Sequence, residues 1–341
     1  MNDDVTPGCR LPEALRPAGQ ILEAAGITVA YGPSPSPAPD TLSDPAKAAW
    51  AQLPLLPAPV RDRAKLAAVR EFALMLEQME YDRFAEAFSV VDETVNGVTT
   101  MWVTPPELLH DDAVMVFIHG GGYVLNTRRT QLALQASVAS ALGTRVVSIE
   151  YPLAPEHPYP AALDAVVDAL LGLLDRYDPA KVGLFGTSAG AGFVLATLLR
   201  LRREGHPLPA ASASLSPGAD MTLSGDLVEL IGDDDPMLVA GDVAECFDAY
   251  AGATDPQDPL VSPVFGDYTG VTPLFLLAGT RELIGSDAIR TATRAQQAGC
   301  DVTLVVLDGM WHVPIADGSG VPEMQHAFDQ MIEFFRAHLG V

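Results

Sequence analysis

Lysine is scarce in this sequence. Three lysines occur in 341 residues, and 20 basic residues face 44 acidic ones, for a formal net charge of −24. A surface of that sign repels phosphate backbones and anionic lipid, which speaks against nucleic acid or a membrane as a partner. Cysteine is equally sparse. Cys9, Cys246 and Cys300 are far apart, with neither a zinc-ligand spacing nor a disulfide framework, which fits a reducing cytoplasm. No apolar run reaches membrane-spanning length, and the start, Met1-Asn2-Asp3-Asp4, lacks the charged-then-apolar pattern of a signal peptide, so a soluble cytoplasmic protein is expected. No internal repeat is present. The densest acidic cluster, Asp233-Asp234-Asp235, reads as a solvated loop and helix start before Pro236 and not as a cation site.

What the chain has is apolar substance, with 48% hydrophobic residues. That is enough for one large α/β domain with a cap. Phe88 to Val95 and Val98 to Thr104 frame Asn96-Gly97, a strong two-residue hairpin signal. Strand-like runs follow at about 113–118, 144–150, 181–186, 210–215, 273–278 and 301–307, alternating with helical stretches. Such alternation predicts a mostly parallel, eight-stranded sheet covered on both faces. Residues 1–85 contain helical patches, notably Asp62 to Met79, between proline-rich connectors at Pro33 to Pro39 and Leu53 to Pro59. They read as a lid with a mobile N-terminal part. The catalytic domain is expected over 86–341, with a second cap piece where 218–262 interrupts the alternation.

Two glycine-framed turns carry the chemistry. Gly186-Thr187-Ser188-Ala189-Gly190 has the Gly-x-Ser-x-Gly form of a nucleophile elbow, lying between the strand-like Lys181 to Phe185 and the helical Ala189 to Arg203. A helix start there turns unpaired N–H groups and the positive end of the dipole towards Ser188. Upstream, His119-Gly120-Gly121-Gly122 closes the strand-like Ala113 to Ile118 and leads into Tyr123. Its glycines let the backbone approach a bound carbonyl. The segment has neither the Gly-Lys-Ser/Thr ending of a P-loop nor the spaced glycines of a dinucleotide site. Together the two motifs supply an attacking oxygen and a place for the negative charge it creates.

From His119 to Tyr123, from Tyr151 to Ala162, and in the elbow with threonine before the serine, the chain resembles the bacterial hormone-sensitive-lipase family of α/β-hydrolase esterases. The resemblance spans about residues 85 to 340. It implies the α/β-hydrolase fold, a helical cap and ester hydrolysis, and the threonine form of the elbow marks a recognised subgroup. Pro152 departs from the pattern, since the family usually has arginine there.

A serine hydrolase needs a base. His119 sits in the oxyanion loop, His157 in a proline-rich turn, His326 and His338 on the C-terminal helix, and His110 and His206 in polar connectors. His312 remains, in a loop beyond the last strand, and the order serine, acid, histidine matches the α/β-hydrolase arrangement. Glu282, directly after the strand Pro273 to Ala278, is the favoured acid, at a position where the family usually has aspartate. Asp287 is the alternative, although beside Ser286 it is also placed to cap the following helix, which ends before Gly299.

The expected activity is therefore hydrolysis of small-molecule carboxylic esters with short to medium acyl chains, without cofactor or metal. Ser188, Glu282 and His312 act as the triad, and the N–H groups of Gly121, Gly122 and Ala189 form the oxyanion hole. Amide, carbamate or lactone cleavage on the same triad is an alternative, since the fold does not set the leaving group. A non-catalytic ligand receptor on this scaffold is another, against which His312 argues. The strand Asp301 to Leu307 should close the sheet without the lysine, proline or inward charge that protects an exposed edge. A homodimer through that strand is expected, as the resemblance also implies.

Overall fold

The chain is described from a computed structural model over residues 16–27, 36–53 and 58–341. The mobile N-terminal part expected of the lid, and portions of both proline-rich connectors, lie outside the described residues.

Asn96 and Gly97 both take positive φ, 48° and 82°. That conformation matches the twist of two strands joined by a two-residue turn. β1 (Ser89–Val95) and β2 (Val98–Thr104) accordingly pair antiparallel, with Val95 opposite Val98. Then follow β3 (Val114–Ile118), β4 (Arg145–Ile149), β5 (Val182–Thr187), β6 (Ala211–Leu215), β7 (Leu274–Gly279) and β8 (Val302–Leu307). They form one 8-stranded sheet in the order β1-β2-β4-β3-β5-β6-β7-β8. β2 meets β4 antiparallel, and from β4 to β8 every neighbouring pair is parallel.

Side chains alternate across each strand, so both faces need cover. Val114, Val116 and Ile118 of β3 enter one core, and Met115 and Phe117 enter the other. α5 (Ala161–Leu174), α6 (Ala189–Glu204) and α9 (Gly285–Gln297) close the first with Leu163, Phe193 and Ala292. α2 (Asp44–Trp50), α4 (Leu132–Leu142) and α10 (Pro322–Leu339) close the second with Trp50, Val138 and Phe335. Because the central strands are parallel and in register, Ile118 beside Gly186, Thr187 beside Leu215 and Gly279 beside Leu307, their carboxyl ends align. The loops after them meet at one end of the sheet, where this class of fold places its chemistry.

The N-terminal segment adds α1 (Arg16–Ala24) and α3 (Arg63–Phe84), started by Asp62, whose carboxylate accepts from the N–H groups of Ala64 and Lys65. α3 runs five residues beyond the expected Met79 and is held to the loops after β3 and β4 and to the start of α4 by polar contacts along its length. Arg70 donates to the carbonyls of Val124 and Ala154, Glu77 accepts from the N–H and hydroxyl of Thr127, and Glu80 accepts from the N–H groups of Leu132 and Ala133. The region 218–262 forms α7 (Asp226–Ile231) and α8 (Ala240–Ala251). It touches the N-terminal segment through Asp242, which accepts from Ala58 N–H, and through an Arg61–Glu245 ion pair.

Candidate active site

Ser188 occupies a backbone conformation that L-residues rarely adopt, φ 54° and ψ −120°, between the end of β5 and the start of α6. Tight packing imposes it. A Cβ on Gly186 would lie 2.6 Å from the Gly190 carbonyl oxygen, and one on Gly190 would collide with the carbonyls of Ile118 and His119. Only glycine fits at either flank, which is the physical content of the motif. Leu215 accepts from Ser188 N–H, and Gly218 N–H donates back to the Ser188 carbonyl. Ser188 remains half-buried, and Ala189, as the first residue of α6, presents one of the N–H groups that a helix start leaves free.

The tri-glycine loop lies against this turn. A Cβ on Gly120 would stand 3.1 Å from Cβ of Ser188, so the two motifs are in contact. Gly121 and Gly122 have φ of 121° and 60°. Gly122 packs against α8, where an added Cβ would approach Cys246 Sγ to 3.3 Å. His119 is fully buried, stacks on Tyr151 at 4.1 Å and bonds through Nδ1 to the Gly120 carbonyl at 2.8 Å. Burial pulls its pKa down to about 4, against the effect of that carbonyl. It therefore stays neutral, as a part of the loop and not a base. Thr187 donates to Gln131 Oε1 at 2.5 Å, and Tyr123 donates to the Gly218 carbonyl at 2.6 Å.

Glu282 and His312 come together from the loops after β7 and β8. His312 Nδ1 lies 2.9 Å from Glu282 Oε1, with both side chains buried. The other carboxylate oxygen accepts from Gly279 N–H at 3.0 Å and from Ser216 Oγ at 2.9 Å, and Ser216 Oγ in turn accepts from Val313 N–H. The histidine loop is wedged in place. A Cβ on Gly279 would collide with the Met310 carbonyl, and Trp311 packs edge-on against Trp50 of α2 at 6.1 Å.

Asp287 faces elsewhere. Its Oδ2 accepts from the N–H groups of Ala219 and Asp220 at 2.8 and 2.9 Å, holding the loop after β6. It does not cap α9 as expected, because that helix starts at Gly285 after Ile284 and leaves Asp287 on an inward face. Ser286 likewise accepts from Leu227 N–H. The acidic cluster also departs from expectation: Asp234 is exposed, but Asp235 is buried with three backbone N–H donors, from Met237, Leu238 and Leu283. Ser216, Asp235, Gln131 and the inward face of α3 carry no signal in the sequence, because each acts on residues far away along the chain.

At Pro152, Arg70 of α3 supplies guanidinium bonds to the adjoining loop, at Val124 and Ala154. An open cleft of about 560 Å³ beside it is lined by Arg70, Thr99, Glu150, Pro152, Glu156 and His157, and none of Ser188, Glu282 and His312 borders it. Among the described residues, no group of three or more histidine, cysteine or acidic side chains could hold a metal ion, and no helix is long and apolar enough to cross a membrane.

Residues 115–316 match the family described as alpha/beta hydrolase fold. An acetyl-hydrolase of Streptomyces hygroscopicus is 34% identical over 270 residues, covering 77% of this chain and 90% of that one. A crystal structure of an esterase from the bacterial hormone-sensitive lipase family superposes with a TM-score of 0.74 at 32% identity, covering 97% of this chain and 100% of the other. The chain belongs to the hormone-sensitive-lipase family of α/β-hydrolases. Another structure similar to this family member is EstE5 soaked with p-nitrophenyl butyrate, with a TM-score of 0.72 at 32% identity over 79% of this chain and 92% of that one.

Proposed function

We propose that this carboxylesterase cleaves esters by double displacement, with Ser188 as nucleophile, His312 as base and Glu282 as the orienting acid. The observation that carries the assignment is the buried His312–Glu282 pair at 2.9 Å, at the same end of the sheet as an elbow serine touching the tri-glycine loop. A carboxylate on Nδ1 keeps that nitrogen protonated and leaves Nε2 bare to take the serine proton. Ser188 attacks the ester carbonyl, and the N–H groups of Gly121, Gly122 and Ala189 receive the oxyanion. Individual donors of that kind are typically worth about 3 kcal/mol in the transition state. His312 then protonates the departing alcohol, and water repeats the sequence on the acyl-enzyme.

Short to medium acyl groups are the proposed substrates. The similarity to an acetyl-hydrolase and to an esterase soaked with a butyrate ester supports this, as does the segment 218–262, whose Cys246 packs against Gly122 of the tri-glycine loop and whose Asp235 bonds the peptide after Glu282. An enclosed site limits chain length by volume, and a net charge of −24 gives no help at a lipid interface. A homodimer through β8 and a cytoplasmic location complete the proposal. Cys246 and Cys300 are free thiols, which fits a reducing compartment.

Fluorophosphonate labelling with ester assays tests the reading. The wild type should label at Ser188 and hydrolyse a dissolved short-chain ester faster than emulsified long-chain lipid. Ser188→Ala and His312→Ala should each lower kcat at least about a thousandfold while remaining folded. Near-normal turnover in either purified variant would remove the mechanism.

A further inference from the structure

The second cap segment reaches the acid loop through one carboxylate. Asp235 is 1% exposed, although its neighbour Asp234 lies open to solvent. Its Oδ1 accepts from Met237 N–H at 2.7 Å and Leu238 N–H at 2.9 Å, which closes its own turn. Oδ2 points the other way, to Leu283 N–H at 2.6 Å. Leu283 is fully buried and follows Glu282 directly. A residue needed only to cap its own turn uses one oxygen and leaves the other to solvent. Here the second oxygen is buried too, at a cost in desolvation that the charged hydrogen bond to Leu283 offsets.

We propose that Asp235 is a positioning residue for the catalytic carboxylate: through Leu283 N–H it fixes the peptide that carries Glu282, and so sets how Oε1 meets the imidazole. The proposal rests on the triad reading above. Glu282 is a longer acid than the aspartate usual at this position in the family, with one more rotatable bond to hold still. Gly279 N–H and Ser216 Oγ hold its Oε2, and Asp235 holds the backbone on its other side.

A second consequence is electrostatic. Burial pushes the Asp235 carboxyl up, while its three N–H donors and the nearby His312 pull it down. Asp235 therefore lies near the imidazole as well as bonding the peptide beside Glu282.

The experiment measures kcat and KM for p-nitrophenyl butyrate, per active site counted by fluorophosphonate labelling. Asp235→Asn keeps the shape without the charge. Asp235→Ser can still close the local turn but is too short for Leu283. Both should lose at least about tenfold in kcat with KM little changed, a cost typical of a misoriented catalytic group. Asp234→Asn, on the open neighbour, should behave as wild type. Variants that lose thermal stability yet keep wild-type kcat per labelled site would overturn the proposal, as would failure of both to fold. Glu282→Gln, run alongside, separates the two levels. If it is impaired and the Asp235 variants are not, this inference alone falls, whereas normal turnover in Glu282→Gln removes the triad reading beneath it.

Discussion

Glu282 and Asp287 are both buried carboxylates on one short stretch of chain, and their partners decide what each can do. Glu282 meets an imidazole; Asp287 meets two backbone N–H groups at one oxygen. An amide at 282 would turn an NH₂ towards either the His312 N–H or the Gly279 N–H, so Glu282→Gln should lower kcat by about a hundredfold or more. An amide at 287 keeps the accepting oxygen. Burial, with Asp220 nearby, already pushes the Asp287 carboxyl well above the usual range, and Asp287→Asn should leave turnover within about threefold, a surplus charge being no part of its contact. Parallel kinetics on the two variants check this, and the reverse ranking would transfer the acid role. His119 gives a pH prediction. Its folded pKa is depressed, so its contribution to stability is present above the ordinary histidine value of about 6.5 and is lost as pH falls through about 4. The loss is on the order of 3 kcal/mol. Urea midpoints between pH 7 and pH 4 should fall less steeply in His119→Asn than in the wild type; equal slopes would contradict this.

Among the elements, α3 matters most beyond what its sequence suggests. Arg70, Glu77 and Glu80 share a helix face at intervals near whole turns, a pattern that reads equally well as a solvated charged stripe. Folding sets that face on backbone groups instead. α4 follows Gln131, which has a positive φ and gives no side-chain cap, and the helix's free N–H groups at Leu132 and Ala133 are met by Glu80 from α3. This is a helix cap supplied by another helix. Glu80→Ala should cost about 1 kcal/mol, as loss of a cap typically does. It should also lower kcat modestly, because the loop running from the tri-glycine motif to α4 loses an anchor. Thermal unfolding and turnover measured together check this. An unchanged melting temperature would mean that water caps α4 equally well. The strands and the elbow were legible in the sequence because their signals are local: buried apolar runs, Asn-Gly between two of them, glycines flanking a serine. The capping of α4 was not, since Glu80 and Leu132 are joined only once the sheet has formed.

On the scale of the whole molecule, the sheet ends at β8, and the edge is partly apolar and open. Thr303 and Val306 are exposed there, and no proline or lysine lies on the strand. Such an edge pairs readily with a copy of itself in a closed two-fold contact. Two subunits of charge −24 also repel each other, so association should strengthen as salt screens them. Light scattering at micromolar concentration should show a dimer in moderate salt. Thr303→Pro, which removes a backbone donor, should weaken it if that N–H faces the partner. A fully active monomer under those conditions would end the dimer proposal.

The sequence by itself determined the sheet, the elbow and the tri-glycine loop, and it made Glu282, with Asp287 as the alternative, and His312 the favoured candidates, because each reading rests on short-range sterics or on strand order. Glycine at 186 and 190 follows from the space around Ser188, and a base after the last strand follows from parallel strands sharing one carboxyl end. Tertiary structure alone decided that Asp287 holds a loop and does not cap a helix, and that Asp235 is buried beside Leu283 in a run that reads as solvated. It also decided that Ser216 links Glu282 to the loop carrying His312, and that Trp50 and Glu80 support these loops from the N-terminal segment. The reason is the same in each case. A buried polar group must find its partner wherever the packed chain offers one, and which N–H lies within reach is a property of the whole fold.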